Sequence, residues 1–280
     1  MPATHDLVIH GPDATPAHAR ALQALTGASV VHPRREHAFR LAEVRALDGV
    51  AEYCARLALD RALVAHDTSL ARFRLVAMDM DSTLITIECI DEIAGFAGKK
   101  PEIAAITARA MRGELDFAES LRARVAALAG LPATVLEQVY EERLRLSPGA
   151  EVMLARLRTL GVRTLLVSGG FTFFTERLKT RLALDETRAN TLEIVDGTLT
   201  GRVLGEIVDA SGKARTLAQL RERLGATREE VIAIGDGAND IAMLAEAGTS
   251  IAYHAKPVVR ERATYSFDHV GLDGVLNLFD

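Results

Sequence analysis

The chain has 280 residues, a length that allows two domains with cores of their own, and 49% hydrophobic with 25% charged residues is typical of a folded globular protein. A formal net charge of -5 argues against a broad nucleic-acid interface, which needs a basic face. The sequence has no basic-then-apolar N-terminus and no apolar run of about 20 residues, so we expect no signal peptide, no membrane span and a cytoplasmic location.

The first predicted elements, within residues 1–66, follow the order βαββαβ. Thr15 followed by Pro16 is typical of a helix start, and Gly27 is typical of a helix end. A second helix is expected over 49–59. The predicted strands are 6–9, 28–31, 38–44 and 62–65. This order predicts a ferredoxin-like α+β domain, followed by a polar linker at 67–72.

A different pattern begins at residue 73 and is expected to form a second domain over 73–280. Apolar runs at 75–78, 162–167 and 231–234 end at polar residues and alternate with helical stretches, which predicts an α/β fold with a Rossmann-like parallel sheet. The stretch at about 89–146 is helical and would form a cap above the sheet. Two further strands, 192–195 and 199–203, flank a hairpin turn at Asp196-Gly197.

Asp79-Met80-Asp81 follows the first apolar run directly. Two carboxylates beside a buried strand are costly unless a cation compensates them, and Mg²⁺ prefers oxygen ligands. The pattern alone also fits a solvated turn, and glycosyltransferases use Asp-x-Asp to hold a metal and a nucleotide diphosphate. The pair therefore predicts a metal site without fixing the chemistry.

Two weaker signals follow along the chain. Ser168-Gly169-Gly170, after the second run, offers a hydroxyl and unhindered amides at an expected helix start, which suits an anion, although a simple strand-to-helix turn has the same sequence. Lys213 precedes a helical stretch and could hold a phosphate as a point charge, or simply be solvated.

The fourth signal is Gly235-Asp236-Gly237-Ala238-Asn239-Asp240, after the third run. The spacing excludes a calcium loop of the EF-hand type, which needs twelve residues and a terminal glutamate. Because ligands bind beyond the carboxyl ends of parallel strands, we expect this cluster to meet the other signals at one edge of the sheet.

These four motifs in this order resemble those of the haloacid dehalogenase-like superfamily. The resemblance implies that Asp79 is a nucleophile that becomes phosphorylated and that Asp81 is the general acid and base. It implies a Mg²⁺ site formed by Asp79, the backbone carbonyl of Asp81, and Asp236. Phosphate ligands, with a supporting role for Asp240, are implied for Ser168, Gly169, Lys213 and Asn239.

The cap adds a resemblance to those members of the superfamily that act on phosphoserine. It rests on residues 88–94, 111–113 and 117–125. It implies that Glu88 binds the substrate ammonium, that Arg124 binds its carboxylate, and that Met111 and Phe117 line the apolar side. The implied reaction is hydrolysis of O-phospho-L-serine, the last step of serine biosynthesis. Residues Phe117 and Arg124 are seven apart and would share one face of a helix.

Several alternatives stay open. A phosphatase of the same fold could act on another small phosphorylated amino acid or amine, and a phosphotransferase could pass the phosphate to an acceptor such as homoserine. The order in residues 1–66 resembles ACT domains, so this unit could bind serine as a regulator or sensor. It could equally serve packing or dimerisation, which leaves a homodimer open.

Overall fold

The computed structural model describes residues 5–279, and over that range the chain forms one four-stranded and one seven-stranded sheet. Residues 1–4, on which part of the signal-peptide expectation rests, and residue 280 lie outside the described residues. Within the described range, no helix has both the length and the hydropathy that crossing a bilayer requires.

The smaller sheet contains the predicted βαββαβ unit. Its strands are β1 (His5–His10), β2 (Val30–Pro33), β3 (Ala38–Ala42) and β4 (Asp60–Ala65). Its helices are α1 (Pro16–Thr26) and α2 (Val50–Arg56). The antiparallel order β2-β3-β1-β4 is that of a ferredoxin-like sheet, which confirms the predicted plan. The helix start at Thr15 is also confirmed, because its hydroxyl accepts the amide proton of His18, and Gly27 ends the helix at a φ of 65°.

The larger sheet contains the three predicted apolar runs and four further strands. Its strands are β5 (Leu75–Met78), β6 (Arg163–Phe171), β7 (Glu186–Val195), β8 (Thr198–Leu204), β9 (Val231–Gly235), β10 (Thr249–Tyr253) and β11 (Tyr265–Phe267). The order is β11-β10-β9-β5-β6-β7-β8, parallel except for the hairpin of β7 and β8. The parallel α/β sheet is therefore confirmed, while β10 and β11 were not predicted.

Helices cover this sheet and build the cap. The cap helices, inserted after β5, are α3 (Cys89–Phe96), α4 (Lys100–Met111), α5 (Phe117–Ala127) and α6 (Thr134–Gln138). The helices of the core are α7 (Ala150–Thr159), α8 (Thr172–Leu182), α9 (Ala210–Arg223), α10 (Ile241–Leu244), α11 (Pro257–Arg260) and α12 (Gly274–Phe279). The chain crosses between core and cap where Ile85 bridges Leu146.

Two local expectations are wrong. Ser168, Gly169 and Gly170 do not open a helix but continue β6, because α8 starts only at Thr172. Lys213 does not precede a helix but lies inside the first turn of α9, since the carboxylate of Asp209 caps that helix by accepting the amide proton of Gly212.

The two sheets share buried contacts through α12. Val8 and Val64 of the smaller sheet belong to the same apolar core as Leu276 and Phe279 of this last helix. In addition, the carboxylate of Asp60 accepts the backbone amide protons of residues 268, 269 and 270 at 2.9, 2.8 and 3.1 Å. The smaller sheet is thereby fixed against α12 and residues 268–270 of the larger unit.

Candidate active site

The carboxyl ends of β5, β6 and β9 meet beneath the cap at a cavity of about 440 Å³. This volume lies in the range of small-molecule sites. The predicted site residues that line the cavity are Asp79, Asp81, Glu88, Phe117, Arg124, Ser168, Gly169, Asp236 and Asn239. Parallel topology brings the three core segments together, and the cap insertion adds the residues from Glu88 to Arg124.

Lys213 joins two buried carboxylates at the floor of the site. Its ammonium nitrogen lies 2.7 Å from Oδ1 of Asp79 and 2.7 Å from Oδ1 of Asp240. The exposed fractions are 1% for Lys213, 5% for Asp79 and 0% for Asp240. One cation therefore faces two anions, and the cluster carries more negative charge than the protein itself compensates.

Burial, together with this excess of negative charge, raises the pKa values of the acids. Burial, with the charge of Asp240, raises the pKa of Asp79 well above its usual range, although Lys213 opposes the shift. Burial and the neighbouring Glu88 raise the pKa of Asp81 to about 7. Burial and Asp240 raise the pKa of Asp236 to about 6. Burial would lower the pKa of Lys213, but the carboxylates of Asp79 and Asp240 outweigh it and hold that pKa above the ordinary value.

The donor set fits a hard divalent cation. Carboxylate oxygens of Asp79, Asp236 and Asp240 lie within 4.8 Å of one another. Oδ1 of Asp79 is buried and, among the described residues, has the Lys213 ion pair but no hydrogen bond. Asp240 is already engaged, because Oδ1 contacts Lys213 and Oδ2 accepts the amide protons of residues 236 and 237. Asp79 and Asp236 are therefore the more available ligands.

Asp236 is oriented by Thr83, which lies two residues after the Asp-x-Asp motif. The hydroxyl of Thr83, which is completely buried, donates to Oδ1 of Asp236 at 2.9 Å. The hydroxyl is thereby committed to one oxygen of this carboxylate. Such partners fix the direction in which a metal-binding carboxylate presents its remaining lone pairs.

Ser168, Gly169 and Gly170 approach the acids closely. The amide of Gly170 donates to the hydroxyl oxygen of Ser168 at 2.8 Å. A Cβ atom at Gly170 would lie 3.0 Å from Oδ2 of Asp81 and 2.9 Å from the methyl of Met80, closer than side chains normally pack. Glycine therefore lets β6 approach Asp81 and Met80 without displacing their side chains.

The cap side of the cavity contains two predicted charged residues, the acidic Glu88 and the basic Arg124. Oε1 of Glu88 accepts a hydrogen bond from Ser82 at 2.8 Å, and Ser82 adopts a φ of 56° to offer it. Arg124 is half-buried on α5, and burial lowers its pKa, while Asp91 and Glu88 oppose that shift. Phe117 begins the same helix, seven residues before Arg124, and follows the capping carboxylate of Asp116.

Met111 is the predicted residue that the structure does not bring to the site. It lies at the end of α4 with 81% of its surface exposed, and it does not line the cavity. Met111 is the last residue of α4, and Thr107, one turn earlier, is the residue of this helix that lines the cavity.

The structure adds residues that sequence reasoning missed. Thr83 extends Asp79-Met80-Asp81 to the pattern Asp-x-Asp-x-Thr, so its place beside the two acids was the signal that could have found it. Asp91 and Lys256 also line the cavity. Lys256, exposed at the start of α11, gave no signal because it follows β10, a strand that was not predicted.

Comparisons with known proteins agree with this arrangement. A family model of haloacid dehalogenase-like hydrolases matches residues 76–245. A phosphoserine phosphatase of Polaromonas sp. is 52% identical over 217 residues, which are 76% of this chain and 92% of that protein. A probable phosphoserine phosphatase from Vibrio cholerae has a TM-score of 0.86 at 40% identity, over 98% of this chain and 85% of its own. A HAD family hydrolase from Salmonella enterica serovar Typhi has a TM-score of 0.88 at 34% identity, over 99% of both chains.

Proposed function

This chain belongs to the haloacid dehalogenase-like hydrolase family, and on that premise we propose that it is a phosphoserine phosphatase that hydrolyses O-phospho-L-serine to L-serine and phosphate with Mg²⁺ as its metal. The reaction would supply serine, as the last step of its biosynthesis. One observation carries the proposal: a single cavity contains both the acid cluster of the core and the Glu88 and Arg124 pair of the cap.

The chemistry assigned to the core begins at Asp79. Its carboxylate oxygen would attack phosphorus as the bond to the serine oxygen breaks, which leaves the phosphoryl group on Asp79. Water would then attack the same phosphorus, release phosphate and restore the carboxylate. A carboxylate nucleophile divides the hydrolysis into two easier displacements.

Asp81 would handle the proton in both steps. With a pKa of about 7, its acid form is available near neutral pH and can protonate the leaving serine oxygen. The resulting carboxylate can then take a proton from the attacking water. Oδ1 of Asp81 accepts the amide proton of Cys89 at 3.4 Å, a weak contact that leaves the other oxygen facing Gly170 and the cavity.

The remaining core residues would hold the phosphoryl group. Lys213 lies against Asp79, so its charge is placed where the phosphoryl oxygens would arrive. We assign the hydroxyl of Ser168, the amide of Gly169 and the side chain of Asn239 to the same oxygens. Phosphoryl transfer depends on such positioning and charge neutralisation more than on covalent catalysis by the protein.

We assign the Mg²⁺ ligands to Asp79, Asp236 and the backbone carbonyl of Asp81, with Thr83 orienting Asp236. Asp240, whose oxygens are occupied by Lys213 and by backbone amides, would keep the loop and the lysine in place. When bound, the metal supplies positive charge that offsets the negative charge of the phosphoryl group.

The cap residues would read the amino-acid end of the substrate. Arg124 can bind a carboxylate bidentately, and Glu88, held by Ser82, would bind the ammonium. Phe117 would cover the β-carbon between them. We expect Met111 to join this apolar side only if α4 moves toward the core, since it is exposed in the structure.

For the rest of the chain we propose a domain division at 1–66 and 73–280, with the cap inserted at about 89–146, and a cytoplasmic location. The packing of Val8 and Val64 on the core favours a packing role for the smaller sheet over that of a freely moving sensor. Serine regulation through an ACT-like unit and a homodimer stay predictions. Calorimetry with serine and sedimentation of the full chain test them.

The function is tested by phosphate release from L-phosphoserine, phosphothreonine, phosphoethanolamine and a sugar phosphate, with and without Mg²⁺. We expect strong preference for phosphoserine, dependence on Mg²⁺ and loss of activity in Asp79→Asn. Preference for another compound that is also lost in Asp79→Asn would retain the mechanism and reject the cap assignments. Transfer of phosphate to an added alcohol instead of water would identify a phosphotransferase.

A further inference from the structure

The phosphate-binding segment of β6 lies in an irregular part of the sheet. β6 pairs with β7 through Val167 and Arg188, and pairing resumes only at Phe171 and Asn190. Three residues of β6 therefore oppose one residue of β7. This bulge releases Ser168, Gly169 and Gly170 from the regular ladder and leaves their backbone groups in need of other partners.

Asn190 supplies one of those partners. Its side chain is 1% exposed, and its Nδ2 donates to the carbonyl oxygen of Gly169 at 2.8 Å. Its Oδ1 accepts the amide proton of Val208 at 2.8 Å. Val208 precedes Asp209, the residue that caps α9, and α9 carries Lys213. One buried amide thus joins the bulge to the segment that leads to the lysine.

The peptide unit between Gly169 and Gly170 is held at both ends. Asn190 binds its carbonyl oxygen, and its N–H group donates to the hydroxyl oxygen of Ser168 at 2.8 Å. Two consecutive glycines would otherwise let this peptide plane rotate freely. Because the Ser168 oxygen already accepts a proton from Gly170, its own proton stays available for an anion.

We infer that Asn190 is a positioning residue for phosphoryl transfer, which fixes the Gly169–Gly170 peptide plane and thereby keeps Ser168 as a hydrogen-bond donor to the phosphoryl group. The inference rests on the proposed function of this site. Without Asn190, the peptide can turn its carbonyl toward the anion, and Ser168 loses the contact that orients it.

The test compares Asn190→Asp, which keeps an acceptor for Val208 but loses the donor to Gly169, with Asn277→Asp. Asn277 is a buried asparagine of α12, hydrogen-bonded to His10 and remote from the cavity. We expect Asn190→Asp to lower kcat about 10²-fold, the usual effect of misplacing a catalytic group by about 1 Å. KM should change less than about threefold, because Glu88 and Arg124 are untouched. Asn277→Asp should leave both constants within about twofold.

A double-mutant comparison separates positioning from general stability. When Ser168 is already replaced by alanine, Asn190→Asp should lower kcat less than about tenfold. The effects of two substitutions that disturb the same contact are not additive. The inference would be overturned if Asn190→Asp lowered kcat as much in Ser168→Ala as in the unsubstituted chain. It would also be overturned if Asn190→Asp and Asn277→Asp lowered kcat equally. If Asn190→Asp does not fold, Asn190→Ser replaces it, and failure of both to fold would assign Asn190 to folding alone.

Orthovanadate binding keeps this test independent of the substrate. In the presence of Mg²⁺, Asn190→Asp should weaken vanadate binding at least about tenfold, with Asn277→Asp unchanged. If the unsubstituted chain bound vanadate without hydrolysing phosphoserine, the substrate proposal would fail, and the vanadate comparison would still decide the role of Asn190. If the unsubstituted chain did not bind vanadate, both proposals would fail.

Discussion

The ammonium of Lys213 lies 2.7 Å from a carboxylate oxygen of Asp79, and both side chains are almost completely buried. The proposed nucleophile is therefore paired with a cation before any substrate arrives. The same lysine also holds Asp240, so three charged groups share one buried site. Removing the cation would leave two buried anions side by side, a costly arrangement.

We predict that Lys213→Met lowers the free energy of unfolding by about 3 kcal/mol in the presence of a chelator, the usual cost of breaking a buried pair. Mg²⁺ should restore part of that loss, because it can replace the missing positive charge. Urea unfolding with EDTA and with Mg²⁺ measures both effects. Lys100→Met, at an exposed position in the cap, is the control. Equal stability of the two variants in EDTA would contradict the prediction.

Thr83 offers a test of metal orientation. Thr83→Val removes the hydroxyl that donates to Asp236 while keeping the shape of the side chain. We expect Mg²⁺ affinity to fall about 10- to 100-fold, the usual effect of losing such a partner. Titration of activity with Mg²⁺ measures the change. Thr175→Val, which changes an equally buried threonine on α8, should leave the affinity unaltered. An unchanged Mg²⁺ affinity in Thr83→Val would show that Asp236 does not depend on the hydrogen bond from Thr83 to bind the metal.

Arg124 and Arg122 form a natural matched pair on α5. Arg124 lines the cavity, whereas Arg122 is exposed. Arg124→Ala should raise KM for phosphoserine about 10- to 100-fold, the value of a charged hydrogen bond, and should leave phosphoethanolamine, which has no carboxylate, unaffected. Arg122→Ala should alter neither substrate. Similar losses with both substrates in Arg124→Ala would mean that Arg124 supports the cap rather than the carboxylate.

His10 predicts a pH dependence of stability. It is buried beside Phe267 and Asn277, and burial lowers its pKa to about 3. The unfolded chain, with a histidine pKa near 6.5, binds a proton that the folded chain excludes, so stability falls as the pH drops below about 6.5 and levels off near the folded pKa. Between pH 6.5 and 5, His10 should account for about 2 kcal/mol.

The control for this prediction is His10→Gln, which cannot titrate. Urea unfolding of both proteins at several pH values between 7 and 5 gives the difference directly. The stability of the unsubstituted chain should fall more steeply than that of His10→Gln. Parallel curves would show that His10 is protonated in the folded state or reaches water there.

The sequence predicted best those features that follow from topology. Apolar runs at β5, β6 and β9 indicated a parallel sheet, and such a sheet brings the residues after its strands together. For this reason the sequence alone predicts that Asp79, Ser168 and Asp236 lie in one site. Helix caps such as Thr15 were also readable, since their hydrogen bonds are local.

Features that depend on contacts between segments far apart in sequence could not be predicted from the sequence. The bulge in β6 exists because of its pairing with β7, so Ser168-Gly169-Gly170 looked like the start of a helix. β11 has only three residues and is a strand only because β10 lies beside it. Met111 is exposed because of the position of α4 relative to the core, and the local sequence does not determine that position.

The position of α12 has a consequence for the order in which the chain folds. The side chains of His10 in β1 and Asn277 in α12 form a hydrogen bond. The ring centroids of Phe279 and Phe73 lie 5.0 Å apart. A ribosome makes α12 after β1 and β3, which this helix contacts, so the contacts of the N-terminal sheet with α12 form only when nearly the whole range from 5 to 279 has been made. Because exposed apolar surface favours aggregation during synthesis, Val8 and Val64 depend for part of their burial on a helix that is made much later than they are.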